Sequence, residues 1–212
     1  MLQPRYLLLT GMILVAASFR LIPYVLQALG YANVHDGLVS FWNMTPLGAL
    51  CLFGGARFAD RRWAFGVPLL ALALSDLGIG LLMRDVDFAV YPSLPVVYAC
   101  FALTVWLGTR VRNWQGAHGV AGVVGAGLIG ETMFFVVTNF AVWAIHSDHY
   151  SHTVAGLTEC YVAALPFFRN SLLGMALYSG ALFGGFAWAE RNVRALRSTE
   201  IETARHDQPA PA

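Results

Sequence analysis

Residues 119–145 read GVAGVVGAGLIGETMFFVVTNFAVWAI, an apolar stretch whose only charged side chain is Glu131. A helix needs roughly 20 apolar residues to cross the hydrocarbon core of a bilayer, and this stretch exceeds that length. It therefore predicts a transmembrane helix. The small residues Gly122, Ala126 and Gly130 recur every fourth position, a spacing that lets neighbouring helices approach closely.

The rest of the chain has the same character. Of its 212 residues 58% are hydrophobic and 12% are charged, and the mean hydropathy is +0.60. Soluble domains carry about twice that charged fraction. We expect an all-α polytopic membrane protein whose single transmembrane domain covers residues 1–197. The predicted spans are 6–29, 43–59, 63–83, 94–111, 119–145 and 170–190.

Two segments fall outside these spans. Residues 154–168 are apolar but too short to cross, so they predict either a re-entrant or interfacial segment on the outer side or a loop packed on the helix ends. The polar residues 198–212 predict a disordered cytoplasmic tail.

The arginines orient this arrangement. With six spans and a cytoplasmic amino terminus, the carboxyl terminus is cytoplasmic too, and nine arginines face the cytoplasm: Arg5, Arg57, Arg61, Arg62, Arg110, Arg112, Arg191, Arg194 and Arg197. The opposite side carries only Arg84 and, at a span edge, Arg169. This asymmetry follows the positive-inside rule and disfavours the inverse orientation. The formal net charge of +1 gives no reason to expect nucleic acid as a partner.

Polar side chains gather at one depth of this predicted bundle, in its outer half. They are Arg20, Tyr24, Asn43, Asp76, Asn139, Arg169 and Asn170. Polar groups inside a membrane are costly and are functional candidates by default. The layer is read either as a substrate pocket open to the outside or as a structural network in which Asp76 pairs with Arg20.

Other residues give weaker signals. Glu131, near the middle of its span, is a candidate for proton coupling or for buried packing. His146, His149 and His152 have a spacing that suits a metal site, although surface-loop histidines are commoner. Cys51, Cys100 and Cys160 lie far apart and predict no disulfide framework. Enzyme motifs such as HExxH, GxSxG and the P-loop are absent, so neither an enzyme nor a cofactor is expected.

Several stretches together resemble a known group of proteins. They are Arg20-Leu21-Ile22-Pro23, Asn43-Met44-Thr45-Pro46-Leu47-Gly48-Ala49, Phe53-Gly54-Gly55-Ala56, Ser75-Asp76-Leu77-Gly78, Val137-Thr138-Asn139-Phe140, Tyr161-Val162-Ala163-Ala164 and Pro166-Phe167-Phe168-Arg169-Asn170. The chain resembles an uncharacterised bacterial family of six-span membrane proteins. That family is similar to the substrate-binding S-components of energy-coupling factor (ECF) transporters.

This resemblance implies a compact six-helix bundle in the bacterial inner membrane, with a site near the outer surface for a vitamin, a precursor or a metal ion. It also implies a membrane coupling subunit and two ATPases as partners. Span one, however, lacks the Ala-xxx-Ala pair where such a subunit docks. Ala16 is followed at i+4 by Arg20, and Ala17 by Leu21.

The predicted function is a membrane-embedded substrate-binding or transport subunit for a small polar or vitamin-like molecule. Arg20 and Arg169 would bind an anionic group of that molecule. The remaining polar residues would orient it by hydrogen bonds, and the aromatic walls would be Tyr24, Trp42 and Trp143. The alternative is a structural or assembly membrane protein without a small ligand, in which the polar layer holds helices together.

Overall fold

A computed structural model describes residues 3–31, 44–145, 150–193 and 196. Several predictions concern residues outside these ranges: Trp42, Asn43, His146, His149, Arg194, Arg197 and the tail 198–212. The described residues form seven α-helices and no strand. They are α1 (Pro4–Phe19), α2 (Ile22–Ala28), α3 (Leu47–Arg57), α4 (Arg61–Met83), α5 (Leu94–Val111), α6 (Gly116–Ile145) and α7 (Val154–Asn192), with a 3₁₀ turn at Val86–Phe88.

The all-helical prediction is confirmed, and the long apolar helices indicate a membrane protein. Four helices, α4 to α7, are long and apolar enough to cross a bilayer, and α1 with α2 would make a fifth span bent by 43°. Large apolar side chains such as Leu70 and Leu81 are exposed on the outside of the bundle, as contact with lipid requires. Helix α3 has only 11 residues, a length of roughly 16 Å, so the six-span count stays a prediction.

The break between α1 and α2 has a local cause. Pro23 has no backbone N–H, and its ring would clash with the carbonyl of Phe19, four residues earlier. Helix α1 ends at Phe19, and α2 restarts at Ile22. Arg20 and Leu21 occupy the break, and both keep backbone angles of the right-handed helical region.

The short helix α3 is the centre of the bundle. Every residue from Leu47 to Ala56 is buried, and α3 contacts α1, α4, α5, α6 and α7. Its closest approach is to α5, where a Cβ added to Gly55 or Gly108 would collide with backbone atoms of the other helix. The two glycine Cα atoms therefore let α3 and α5 pack backbone against backbone.

The region after α6 differs from the sequence prediction. Residues 154–168 and 170–190, predicted as separate segments, are joined in one continuous helix of 39 residues, roughly 58 Å long. Thr153 caps its start by accepting a hydrogen bond from the Gly156 N–H at 3.2 Å. Pro166 lies inside the helix without ending it, as happens in membrane helices whose neighbours hold the chain in place.

The first half of α7 packs against the last half of α6. The Phe135 ring lies 4.6 Å from that of Phe168 and 5.5 Å from that of Tyr161. The Tyr161 hydroxyl also donates to the Val136 carbonyl at 2.7 Å. These contacts hold residues 154–168 as a helix against α6 rather than as a loop over the bundle.

Candidate functional site

A small cavity lies near the break between α1 and α2, and we call it the acidic cavity. Its volume is about 250 Å³. Six helices and the segments next to α3 and α5 contribute to its walls, which are Arg20, Pro23, Tyr24, Thr45, Leu47, Gly48, Leu72, Asp76, Tyr91, Val97, Phe101, Glu131, Phe134 and Ser171. Three of the predicted polar side chains meet here: Arg20 from the break between α1 and α2, Tyr24 from α2 and Asp76 from α4.

An ion pair forms one wall of the acidic cavity. Arg20 Nη1 donates to Asp76 Oδ1, and it also lies 2.7 Å from Ser75 Oγ. The Tyr98 hydroxyl donates to the other carboxylate oxygen, Asp76 Oδ2, at 2.9 Å. The side chains of Arg20 and Asp76 are only 17% and 5% exposed. The pair that the sequence suggested thus exists and also lines a cavity.

A second carboxylate, Glu131, enters the cavity from α6. Glu131 is 7% exposed, and its Oε2 accepts a hydrogen bond from Ser171 Oγ on α7. The other oxygen, Oε1, lies against Gly48 of α3, where an added Cβ would collide with it. The missing side chain at Gly48 gives the Glu131 carboxylate its space.

Aromatic rings form much of the remaining wall. Tyr24 comes from α2, Phe101 from α5 and Phe134 from α6, while Tyr91 precedes α5. The Phe101 and Phe134 ring centroids are 5.0 Å apart. Burial raises the pKa of Tyr91 above the usual range of a phenol, so this hydroxyl is neutral at physiological pH. The cavity therefore combines buried charge with π faces.

The other predicted residues lie elsewhere. Asn139 donates from Nδ2 to the Phe135 carbonyl of its own helix at 2.7 Å. Arg169 is exposed on α7, Asn170 is half-buried there, and neither lines the acidic cavity. Trp143 donates from its indole nitrogen to the Ser151 carbonyl at 2.9 Å, beside His152. Within the described ranges no three His, Cys, Asp or Glu side chains could hold a metal ion.

Sequence reasoning missed several cavity contacts. Ser75 directly precedes the predicted polar residue Asp76, and Ser171 directly follows Asn170. These neighbours could have drawn attention to both serines. Tyr98 and Tyr91 carry no such signal, because their approach to the cavity depends on how α5 is rotated. Gly48 stands inside one of the stretches that carry the family resemblance.

A larger opening lies at the other end of the bundle, and we call it the arginine groove. It measures about 1390 Å³ and lies between the first half of α6 and the second half of α7. Arg57, Arg112 and Arg191 are among its lining residues, and most of the other lining residues are apolar. The nearby Arg5 Nη1 forms an ion pair with Glu190 at 2.7 Å.

The guanidinium groups at this end are held mainly by rings and backbone. Arg57 lies over the Phe183 and Phe186 rings, 5.2 and 5.5 Å from their centroids. Arg112 donates to the carbonyls of Gly55 at 2.9 Å and Ala59 at 2.8 Å. Among the described residues Arg57 Nε is buried without a hydrogen-bond partner.

Comparison with protein families identifies the family of this chain. Residues 1–196 match the model of DUF6580, a family of unknown function, and the chain belongs to that family. No curated protein and no solved structure matches the chain.

Proposed function

We propose that this DUF6580 protein is a membrane-embedded substrate-binding or transport subunit, and that the acidic cavity binds its small polar or vitamin-like substrate. The proposal includes an S-component-like bundle of six spans in the bacterial inner membrane. The two termini lie in the cytoplasm.

The observation that supports the proposal is the acidic cavity itself. Burying charged side chains in a membrane costs free energy, and such residues mark substrate or ion pathways. Asp76 and Glu131 come from different helices and line the same space. Pure helix packing would place such groups against each other and leave no space between them.

The distribution of arginines supports the orientation. Arg5, Arg57, Arg112 and Arg191 lie together at the end of the bundle opposite the acidic cavity. Under the positive-inside rule that end faces the cytoplasm, so the cavity opens toward the outside. Six spans follow if α1 with α2 forms one bent span and α3 forms a short one.

The remaining parts of the proposal concern partners. An S-component works with a coupling subunit and ATPases, but the Ala-xxx-Ala docking pair is absent from α1. Here the position i+4 to Ala16 is Arg20, which is held by Asp76. A solitary importer, or a coupling subunit that docks on another surface, is compatible with this arrangement.

The alternative function is structural. The hydrogen bonds of Asp76 to Arg20 and Tyr98 join α4 to the α1–α2 break and to α5, which is what interhelical packing by polar groups requires. This reading needs no ligand. It predicts that variants of the cavity wall alter stability and nothing else.

Native mass spectrometry of the protein, gently purified with its lipids, separates the two functions. The wild-type protein should carry a small molecule, and Tyr24→Ala should lose it because this residue forms part of the cavity wall. The matched control is Asn139→Ala, which removes a polar side chain that donates to the Phe135 carbonyl of its own helix and should retain the molecule.

Two results would favour the structural alternative. One is a molecule retained equally by both variants. The other is a protein without bound molecule whose melting temperature does not respond to a panel of vitamins and small polar metabolites.

A further inference from the structure

We infer that the acidic cavity selects a small organic cation, an amine or quaternary ammonium compound, whose positive charge lies next to Glu131. The inference rests on the proposed function and names the substrate class of the same site. It replaces the expectation from sequence that an anionic group binds to Arg20 and Arg169.

The charges on the cavity wall support a cationic ligand. In the described part of the chain the wall holds two carboxylates, Asp76 and Glu131, against one guanidinium, Arg20. Arg20 is already bound to Asp76 and Ser75. Arg169, the second cation expected to bind an anion, does not line the cavity. With both carboxylates ionised, an anionic ligand would therefore meet a surplus of negative charge.

Within the part of the chain that the structure describes, Glu131 forms no ion pair. The hydrogen bond it accepts comes from Ser171, a neutral hydroxyl. A buried carboxylate either takes up a proton or needs an opposite charge nearby to offset its lost hydration, and a bound cation would favour the ionised form. Oε1 lies against Gly48, and both residues line the cavity. A cation in the cavity would provide the missing charge within reach of this carboxylate.

The rings add a second, independent preference. The faces of aromatic rings attract cations, and cages of aromatic side chains bind quaternary ammonium groups. Phe134 lies three residues after Glu131 on α6, so the ring and the carboxylate share a helix face. Phe101, Tyr24 and Tyr91 complete the aromatic part of the wall.

The volume limits the size of the ligand. Pockets for drug-sized ligands measure roughly 300–1,000 Å³, and the acidic cavity has about 250 Å³. A nucleotide or a cofactor with several rings is too large for it. A molecule with a handful of heavy atoms around one positive charge fits.

The test compares choline with a neutral isostere and with an anion of similar size. The probes are choline, its neutral analogue 3,3-dimethylbutan-1-ol and the anion 3,3-dimethylbutanoate, with ethanolamine as a primary ammonium compound. Binding to the full-length protein is measured by calorimetry and by thermal shift. We expect choline or ethanolamine to bind at least ten times more tightly than the neutral and anionic compounds.

Two variants place the charge preference at Glu131. Glu131→Gln keeps the size of the side chain, so it should abolish the preference for the cation while the neutral compound binds as before. The matched control is Glu159→Gln, an exposed glutamate of α7, which should bind the cation normally. If Glu131→Gln does not fold, Phe134→Leu removes a ring and should weaken binding of choline more than of its neutral analogue.

Tighter binding of the neutral or anionic isostere would overturn the inference and leave the proposed function standing. The same holds if native mass spectrometry identifies a bound molecule without a positive charge. Lack of binding by every probe, together with the absence of any co-purified molecule, would overturn both.

Discussion

The two ends of this bundle hold their charged side chains in different ways. At the acidic cavity charged side chains pair with each other. Arg20 is bound to Asp76, and Asp76 also accepts a hydrogen bond from the Tyr98 hydroxyl. At the arginine groove, Arg57 lies on two phenylalanine rings, and Arg112 donates to backbone carbonyls. We therefore expect stability to depend on single charged partners at the cavity end and on packing at the groove end.

The largest effect on stability is expected from Asp76→Ala. It leaves the Arg20 guanidinium buried without a counterion, which costs about 3–5 kcal/mol of the free energy of unfolding. Reversible unfolding in detergent micelles would measure the loss. Asp76→Asn, which can still accept the Tyr98 hydrogen bond, should lose less. A wild-type melting temperature for Asp76→Ala would show that the ion pair does not stabilise the fold.

The second-largest loss of stability is expected from Gly108→Ala. This variant disturbs backbone packing, not a charged pair. Its new Cβ would meet the Leu52 carbonyl oxygen and lie 3.1 Å from the Ala56 nitrogen, atoms that cannot turn away. Overpacking of this kind costs about 3 kcal/mol. The matched control is Gly66→Ala in α4, where nothing lies within 4 Å. Equal melting temperatures for the two variants would contradict the backbone contact between α3 and α5.

Tyr98→Phe should have a smaller effect. It removes the hydroxyl that donates to Asp76 Oδ2 at 2.9 Å and leaves the ring in place. Loss of a hydrogen bond to a charged acceptor costs about 1.5 kcal/mol. The same unfolding assay measures it, and in the Asp76→Ala background the effect should vanish because the acceptor is gone. An undiminished loss in that double variant would mean that Tyr98 acts through other contacts.

Glu190→Gln should have the smallest effect. It breaks the ion pair with Arg5 at the groove end, but these side chains are 27% and 23% exposed. Exposed pairs contribute less than about 1 kcal/mol. Arg5 also lies 5.1 Å from the Phe186 ring centroid, a contact that the variant preserves. If Glu190→Gln lowered the free energy of unfolding as much as Asp76→Ala does, the two ends of the bundle would not differ in how charged pairs contribute to stability.

The sequence predicted the depth of polar residues better than the direction in which they point. Arg20 and Asp76 were placed at one level, and they do meet. Asn139 was placed at the same level, but its side chain bonds to its own helix and stays off the cavity. Hydropathy reports how far a residue lies along a span, while the face it presents depends on how neighbouring helices pack.

The helix boundaries show the same limit. Pro23 follows directly after the break between α1 and α2, because a proline disrupts the preceding turn of a helix. The predicted last span began at Asn170, with Arg169 at its edge, yet α7 continues through both residues and through Pro166. The ring contacts of Phe135 with Tyr161 and Phe168 hold that stretch against α6, and contacts between distant residues are not visible in a local pattern.

Cysteine labelling in right-side-out membrane vesicles tests most directly whether the acidic cavity is an outward-facing ligand site. The native residues Cys51, Cys100 and Cys160 are buried, so background labelling should be low. Thr45→Cys places a thiol on the cavity wall, and Ser179→Cys places one in the arginine groove.

We expect a membrane-impermeant maleimide to modify Thr45→Cys from outside and to leave Ser179→Cys unmodified until the vesicles are opened. Choline, or the molecule that co-purifies with the protein, should slow the modification of Thr45→Cys. Labelling of Thr45→Cys only in opened vesicles, or labelling that no ligand slows, would contradict the account.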